Sequence, residues 1–434
     1  NLAHIHRSAN RLKPEEGEGM EIRSVRPEEL SEMIDLQCRV FRADGQLRYG
    51  QYIHGDSSYE YGQTRVVVVE GGRIAATLRI WDRELRIGAT AVRMGGIGGV
   101  CTDPELRGRG YASALMGDAI SWMRREGYLT SVLFSAISTR FYRNLGWGSV
   151  PMAGFRIRRV GRRAAPGNAE WGVSVFDETR DLAQVMALYE THNLQRSGTL
   201  VRQRAYWDSA PARLRGILPS VVARRGGVLG GYLHLDLGDD TAEVLEVGYD
   251  REEEGALVAL VDHLLRVCEA KGLDEIAAVI PPQHPLAAAI EERGDGGDLK
   301  LTGDSAMMMY PVDLKALFGA LLPELQSRID RAGGGGTPEN GVSPVELCLR
   351  VGDQACALSV DDEGRLTLGD AVAETAEISL SAGMFWRVLM GESGWGELEP
   401  TLRAMGTGVS AEQSSLLTTL FRRREVIFWA PDHY

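Results

Sequence analysis

The segment "GGVCTDPELRGRGYASALMG", residues 98–117, joins an apolar strand pattern to an amphipathic helix pattern through two Arg-Gly pairs. Gly108 and Gly110 let the chain turn tightly and approach a ligand without a Cβ atom in the way. Free amides at the helix start, the positive end of its dipole and the guanidinium groups of Arg107 and Arg109 predict a phosphate or pyrophosphate site. The alternative is a solvated Arg/Gly loop that caps an ordinary helix.

The loop also resembles a known family. Arg107, Gly110 and Ala112 fit the Q/R-x-x-G-x-G/A signature of the GNAT N-acetyltransferase superfamily. The resemblance implies that the loop binds the pyrophosphate of acetyl-coenzyme A, and that the preceding strand is splayed and binds the pantetheine arm. The cofactor-binding residues that it implies are Val100, Cys101, Thr102, Arg107, Gly108, Arg109, Gly110, Tyr111, Ala112, Ser113 and Ser135.

Length and composition restrict the class of protein. The chain has 434 residues, a formal net charge of −12, 44% hydrophobic residues and 25% charged residues, which is typical of a globular protein with two to four domains. No apolar run approaches the ~20 residues of a membrane span, and the first residues lack an apolar signal core. We therefore expect a cytoplasmic protein with no membrane partner. The acidity argues against nucleic acid and favours a cationic small molecule.

The cysteines give no sign of a disulfide framework or a metal site. Cys38, Cys101, Cys268, Cys348 and Cys356 are scattered, odd in number, and form no C-x-x-C pair or Cys/His cluster. We therefore expect neither disulfides nor a bound metal.

The order of predicted elements indicates the domains. After an N-terminal extension at residues 1–19, residues 20–165 are predicted to form strand, helix, a hairpin at Gly71-Gly72, strand, glycine loop, helix, strand, helix and strand,. This is the order of the GNAT fold. Residues 166–311 repeat it, with a hairpin at Gly226-Gly227.

The second copy lacks the phosphate chemistry of the first. Aligning Val247 with Val100 places Glu254 on Arg107, and three glutamates at 252–254 would repel a pyrophosphate,. We interpret residues 166–311 as a degenerate, cofactor-free GNAT domain; an unrelated α/β domain is the alternative.

Residues 312–434 predict a helix, a strand meander and further helices, an α+β domain whose simplest interpretation is a lid or carrier,. The tandem of active GNAT, degenerate GNAT and sterol-carrier-like domains resembles the Eis (enhanced intracellular survival) family. These are aminoglycoside-type acetyltransferases acting on amines of cationic substrates. The resemblance implies an α/β and α+β fold class and a homo-oligomer, specifically a hexamer.

Two catalytic residues are candidates. Tyr142 lies in "FYRNLGWG", similar to the position where GNAT enzymes carry a tyrosine that protonates the coenzyme A thiolate. A phenol, with a free pKa of about 10, is protonated at neutral pH and can donate one proton. The alternative interpretation, which holds for a tyrosine without this motif, is that Tyr142 is an aromatic residue of the core.

The chain ends in "REVIFWAPDHY", an apolar and aromatic segment that we expect to be buried,. The Eis resemblance implies that the C-terminal carboxylate, here that of Tyr434, is the general base. An α-carboxyl has a free pKa of about 3.3–3.7, so it is ionised at neutral pH. The alternative is a hydrophobic tail packed against its own domain.

The sequence therefore predicts an acetyl-coenzyme A dependent N-acetyltransferase that transfers acetyl directly to an amine of a cationic small molecule or lysine-like substrate. The segment at 41–62, treated as a loop, offers Asp44, Asp56 and Glu60 as acceptor-site candidates by charge alone. The alternative is a carrier protein that holds an apolar ligand in its C-terminal domain and has a vestigial acetyltransferase.

Overall fold

The computed structural model describes residues 19–135, 137–158, 170–295, 297–304, 306–332, 344–371, 377–406 and 408–434. The predicted N-terminal extension, except for residue 19, and the glycine-rich segment at 333–341 lie outside the described residues.

Strands and helices alternate through most of the chain. The described strands are β1 (Glu21–Ser24), β2 (Thr64–Val68), β3 (Ile74–Ile87), β4 (Thr90–Thr102), β5 (Thr130–Phe134), β6 (Gly148–Ser149), β7 (Met152–Arg158), β8 (Gly172–Val175), β9 (Val221–Arg225), β10 (Val228–Leu237), β11 (Thr241–Tyr249), β12 (Glu275–Ala278), β13 (Asp298–Asp304), β14 (Met307–Pro311), β15 (Val345–Val351), β16 (Gln354–Val360), β17 (Leu366–Gly369) and β18 (Glu377–Leu380). The described α-helices are α1 (Leu30–Val40), α2 (Gln46–His54), α3 (Tyr111–Arg125), α4 (Arg140–Asn144), α5 (Glu178–Asn193), α6 (Arg204–Asp208), α7 (Ala210–Leu214), α8 (Glu254–Lys271), α9 (Pro285–Arg293), α10 (Leu314–Ala332), α11 (Ala382–Met390), α12 (Trp395–Ala404) and α13 (Ala411–Leu420).

The first sheet has the strand order β1-β2-β3-β4-β5-β14-β6. Neighbours from β1 to β4 are antiparallel, β4 and β5 are parallel, and β14 is antiparallel to both β5 and β6. Helix α3 connects the parallel pair, as a parallel crossover requires. Its buried face, which includes Leu115, Met116, Ala119 and Met123, packs in one cluster with Leu133 of β5.

The second sheet has the order β13-β7-β12-β11-β10-β9-β8. Its directions repeat those of the first sheet, because β8 to β11 are antiparallel neighbours, β11 and β12 are parallel, and β7 is antiparallel to β12 and β13. The two sheets also exchange a strand. β7 follows the strands of the first sheet in the chain but pairs in the second, whereas β14 follows the second sheet's strands but pairs in the first.

The third sheet has the order β17-β16-β15-β18 and lies with α10 to α13 in the last part of the chain. Its inner side chains share one buried cluster with the first sheet, in which Val132 and Met309 join Phe318, Leu347 and Trp386. This shared core holds the C-terminal part of the chain against the first sheet.

The predicted mixed α/β fold class is confirmed, as are the hairpin turns at Gly71-Gly72 and Gly226-Gly227. One prediction was wrong: the segment at 41–62, treated as a loop, contains α2. This polar helix buries only Ile53 of its own residues. It packs on α7, where the amide of Ala210 donates to the oxygen of Gly55 at 3.1 Å, so tertiary contacts stabilise it,. None of the helices in the described parts of the chain is long and apolar enough to cross a membrane.

Candidate active site

The site is built at an opening between two parallel strands of the first sheet. β4 and β5 pair from Met94 and Thr130 to Ile97 and Leu133. Beyond Ile97, β4 continues to Thr102 with β3 as its ladder partner. Main-chain groups on the β5 side of this last part of β4 therefore lie outside the ladder and can bind an extended ligand.

A β-bulge lies at the start of the opening. Gly99 and Val100 together face Leu78 of β3, and Gly99 has a φ of +63°, which favours glycine because a Cβ atom would be strained. Val100 and Thr102 are partly exposed, whereas Cys101 is buried. Burial raises the pKa of the Cys101 thiol to about 12, so Cys101 offers main-chain groups but no thiolate.

The predicted phosphate loop follows directly. Asp103 ends the strand: its amide donates to the oxygen of Ala75 at 2.8 Å, and its side chain accepts the amide of Glu105 at 3.1 Å. Gly108 and Gly110 both have a φ of +80°, and a Cβ atom on either would meet no heavy atom within 4 Å. The backbone is therefore open to a ligand at both glycines.

Free donors surround this open backbone. Helix α3 begins after Gly110 with no side-chain cap, and among the described residues we find no hydrogen-bond acceptor for the amides of residues 110–113. Arg107 and Arg109 are exposed, and the Arg107 Nε atom lies 3.4 Å from the oxygen of Thr102. Tyr111, Ala112 and Ser113 form the first turn and are partly exposed. This combination fits a pyrophosphate.

Two further predicted residues lie past the end of β5. The amide of Ser135 donates to the oxygen of Ala306 at 2.8 Å, and its hydroxyl donates to the oxygen of Ile137 at 2.7 Å. Tyr142 lies on α4 in the same buried cluster as Leu133, and burial raises the pKa of its phenol. Its hydroxyl has no hydrogen-bond partner among the described residues and is not one of the fully enclosed unpaired atoms.

Residues 424–434, which we call the tail, are held by the segment that follows helix α5 and by the end of that helix. Ser197 bridges to Val426, and the amide of Ile427 donates to the oxygen of Ser197 at 3.0 Å. The Trp429 indole donates to Oδ1 of Asn193 at 3.1 Å. These bonds lead the tail towards the first sheet.

A fully buried charge network anchors the end of the tail. The Arg202 Nε atom lies 2.9 Å from Oδ1 of Asp432, and its Nη2 atom lies 2.5 Å from Oε2 of Glu246 on β11. Tyr206 donates to Asp432 at 2.9 Å and Tyr232 donates to Glu246 at 2.7 Å. One guanidinium thus serves two carboxylates, and burial raises the pKa of Glu246.

The last residue lies in the opening of the first sheet. The Tyr434 hydroxyl donates to the oxygen of Val132 at 3.3 Å, and its ring is stacked with that of Trp81 at 6.4 Å between centroids. A Cβ atom on Gly98 would lie 3.2 Å from the main-chain carbonyl carbon of Tyr434. Tyr434 packs against the buried cluster that contains Val132, whereas Tyr142 belongs to the cluster that contains Leu133. Because Val132 and Leu133 point to opposite faces of β5, the two tyrosines lie on opposite faces of the sheet.

The acceptor candidates are mostly engaged. Asp44 pairs with Arg42 at 2.7 Å, and Asp56 pairs with Arg79 at 2.7 Å, whereas Glu60 is exposed. The described residues contain no group of three or more His, Cys, Asp or Glu side chains placed to hold a metal ion.

A comparison with known protein families shows which family the chain resembles around this site. Residues 21–150 match the profile of the acetyltransferase (GNAT) domain. This part of the chain is a GNAT acetyltransferase domain. The matched domain makes the protein an acetyltransferase, and its fold implies an acyl-coenzyme A co-substrate and an acceptor amine. Curated protein sequences give no significant match.

Solved structures share the fold over nearly the whole chain. A GCN5-related N-acetyltransferase from Kribbella flavida is 20% identical, with 96% of this chain and 98% of that chain covered and a TM-score of 0.68. One from Anabaena variabilis is 16% identical, with coverages of 94% and 98% and a TM-score of 0.68. Eis1 from Mycobacterium abscessus is 17% identical, with coverages of 96% and 100% and a TM-score of 0.65. At these identities the similarity establishes the fold.

Proposed function

We propose that this protein transfers acetyl from acetyl-coenzyme A directly to an amine, with Tyr142 as acid and the α-carboxylate of Tyr434 as base. The observation that carries the proposal is the open end of β4. The unpaired amides of the glycine loop lie at one end of this opening, and the carbonyl carbon of Tyr434 lies against Gly98 within it.

The two tyrosines have separate tasks in this proposal. The amine attacks the thioester carbon and its proton passes to the Tyr434 carboxylate, while the phenol of Tyr142 gives its proton to the departing thiolate. The raised pKa of Tyr142 keeps the phenol protonated until the thiolate forms. Main-chain groups of Val100 to Thr102 and the amides of residues 110–113 hold the pantetheine arm and the pyrophosphate.

We also propose that the second sheet is a degenerate GNAT domain. The amide of Asp250 donates to the oxygen of Gly230 at 2.9 Å and its side chain accepts the amide of Glu252 at 3.0 Å, as Asp103 does with Ala75 and Glu105. Glu253 occupies the N-cap position of α8 without a side-chain cap hydrogen bond, and Glu254 is the first residue of the helix, where the first copy has its glycine loop. The start of α8 therefore carries negatively charged side chains, which would repel a pyrophosphate.

We also propose that residues 312–434 form a sterol-carrier-like domain. The domain boundaries after residues 165 and 311 stay predictions, and so does the hexamer. Most of the buried hydrophobic side chains described in this domain lie in the core that it shares with the first sheet. We therefore favour the enzyme over a carrier of an apolar ligand, and over a merely structural tail.

An extension at the C-terminus tests the base. A short Gly-Ser extension after Tyr434 converts the carboxylate to an amide, and the same extension at the N-terminus is the matched control. We expect the C-terminal extension to lower thiol release with a panel of polyamines, aminoglycosides and lysine peptides by about 10²-fold. Acetyl-coenzyme A affinity should stay unchanged. Equal turnover of the two extended proteins would refute the carboxylate as base.

A further inference from the structure

Three arginines surround the indole ring of Trp81 on the face of the first sheet that carries Tyr434. The guanidinium carbons of Arg79, Arg215 and Arg83 lie 3.5, 4.4 and 5.4 Å from the ring centroid. We refer to these three residues as the Trp81 arginine cluster. Arg79 and Arg83 come from β3, whereas Arg215 follows α7, so distant parts of the chain bring the charges together.

The cluster carries more positive than negative charge. Asp56 is buried and is shared by Arg79 at 2.7 Å and Arg83 at 3.3 Å. Both terminal nitrogens of Arg215 are enclosed and donate no hydrogen bond within the described part of the chain. Asp56 thus pairs with two of the three guanidinium groups. The Tyr434 carboxylate lies near the cluster but forms no ion pair with any of the three arginines, so Arg215 has no carboxylate partner among the described residues. An enclosed charge without a partner is unfavourable.

Arg215 is held by aromatic rings. Its guanidinium carbon lies 5.1 Å from the Tyr52 ring centroid, in addition to the contact with Trp81. Because its terminal nitrogens donate no hydrogen bond, the side chain can turn towards a ligand without breaking one. A guanidinium fork that stacks on aromatic rings is well suited to a carboxylate.

The cluster also lies beside the proposed reaction centre. A Cβ atom on Gly98 would lie 3.0 Å from the Trp81 indole nitrogen and 3.2 Å from the carbonyl carbon of Tyr434. A carboxylate bound by the cluster would therefore lie close to an amine in the opening.

We propose that the acceptor is an amine that also bears a carboxylate, such as a free amino acid, and that the Trp81 arginine cluster, chiefly Arg215, binds this carboxylate. The inference rests on the proposed function. The amine nitrogen forms the amide bond, the thioester bond breaks, one proton leaves the nitrogen for the base, and one reaches the thiolate. The carboxylate is unchanged, so it sets specificity only.

Amino acids and their decarboxylated counterparts test this directly. Lysine and cadaverine, tyrosine and tyramine, and phenylalanine and phenethylamine each differ by one carboxylate, and kcat/KM is measured for all six by thiol release. We expect the amino acid to be preferred by about 10-fold or more in at least one pair. Arg215→Gln should lower that preference at least about fivefold, and Arg215→Lys should lower it less.

Arg213→Gln is the matched control, because Arg213 lies two residues earlier and pairs outside the site with Glu178 at 2.7 Å. It should leave the preference unchanged. Equal or better use of the decarboxylated amines would overturn the inference and leave the proposed function intact. An unchanged preference in Arg215→Gln, with both members of a pair slowed alike, would assign Arg215 to the Tyr434 carboxylate instead. No turnover of these six amines, with turnover of a polyamine or an aminoglycoside, would overturn the inference alone, whereas no turnover of any amine in either panel would refute the proposed function as well.

Discussion

Replacing Gly96 by alanine would create a steric clash between the new methyl group and the ring of Tyr434. The new Cβ atom would lie 2.7 Å from both Cε atoms of that ring and closer still to Cζ, whereas carbon atoms in contact are normally about 3.5–4.0 Å apart. The ring has little room to retreat, because Trp81, Phe134 and Phe428 surround it. The substitution therefore tests whether the tail occupies the opening.

The expected magnitude follows from two opposing effects. Overpacking of this kind costs about 1–3 kcal/mol. Without the Tyr434 ring, alanine in a strand should be more stable than glycine by roughly 0.5–1 kcal/mol. A double-mutant cycle of Gly96→Ala with Tyr434→Ala should therefore give a coupling energy of about 1–3 kcal/mol.

Calorimetric and urea unfolding of the full chain measure this coupling. Gly95→Ala is the matched control, because its Cβ atom would meet the Met123 sulfur on the opposite face, away from the tail. Its cost should be the same with and without the Tyr434 ring. A Gly96→Ala cost that is also independent of that ring would show that the tail lies elsewhere, and the reasoning on the base would fail.

The other predictions concern the buried charge network around Arg202, the glycine loop that is proposed to bind the cofactor, and the proposed acid Tyr142. Arg202→Met leaves Glu246 and Asp432 buried without a cation and should cost about 3–5 kcal/mol near neutral pH. The folded-state pKa of Glu246, which burial already raises, would then lie further above its unfolded value, so this cost should shrink as the pH falls, as urea unfolding at about pH 5 and about pH 8 would show. Arg107→Glu should weaken acetyl-coenzyme A binding in calorimetry by about 2–4 kcal/mol; unchanged affinity would exclude the glycine loop as the site. Tyr142→Phe should lower turnover about 10²-fold with cofactor affinity unchanged, and an unaffected rate would return Tyr142 to the core aromatics.

The parts of the site that could be predicted are contiguous in sequence. Strand β4, the glycine loop and α3 follow one another, so local spacing was enough to place Arg107 and Gly110. The tail's partners were missed, because Arg202 and Asp432 are far apart in the chain and only tertiary packing joins them. The Trp81 arginine cluster was missed for the same reason.

One missed signal was present in the sequence. The stretch "MGGIGGV" at 94–100 puts four glycines inside a strand pattern, and glycine within a strand marks the close approach of another group,. Two of them face the tail: Gly96 lies against the Tyr434 ring and Gly98 against its carbonyl carbon. The glycines show that something approaches the strand, but not which part of the chain.

The exchange of β7 and β14 between the sheets also governs the order in which the protein can be completed during synthesis. β6 pairs with β14, and β14 covers the edge of β5. The first sheet therefore stays unfinished, with an open strand edge, until residue 311 has left the ribosome. By then the strands of the second sheet have also emerged, so each half closes the other. The domain matched at residues 21–150 contains the glycine loop and Tyr142 but lacks both the strand that closes its own sheet and the tail that reaches its opening.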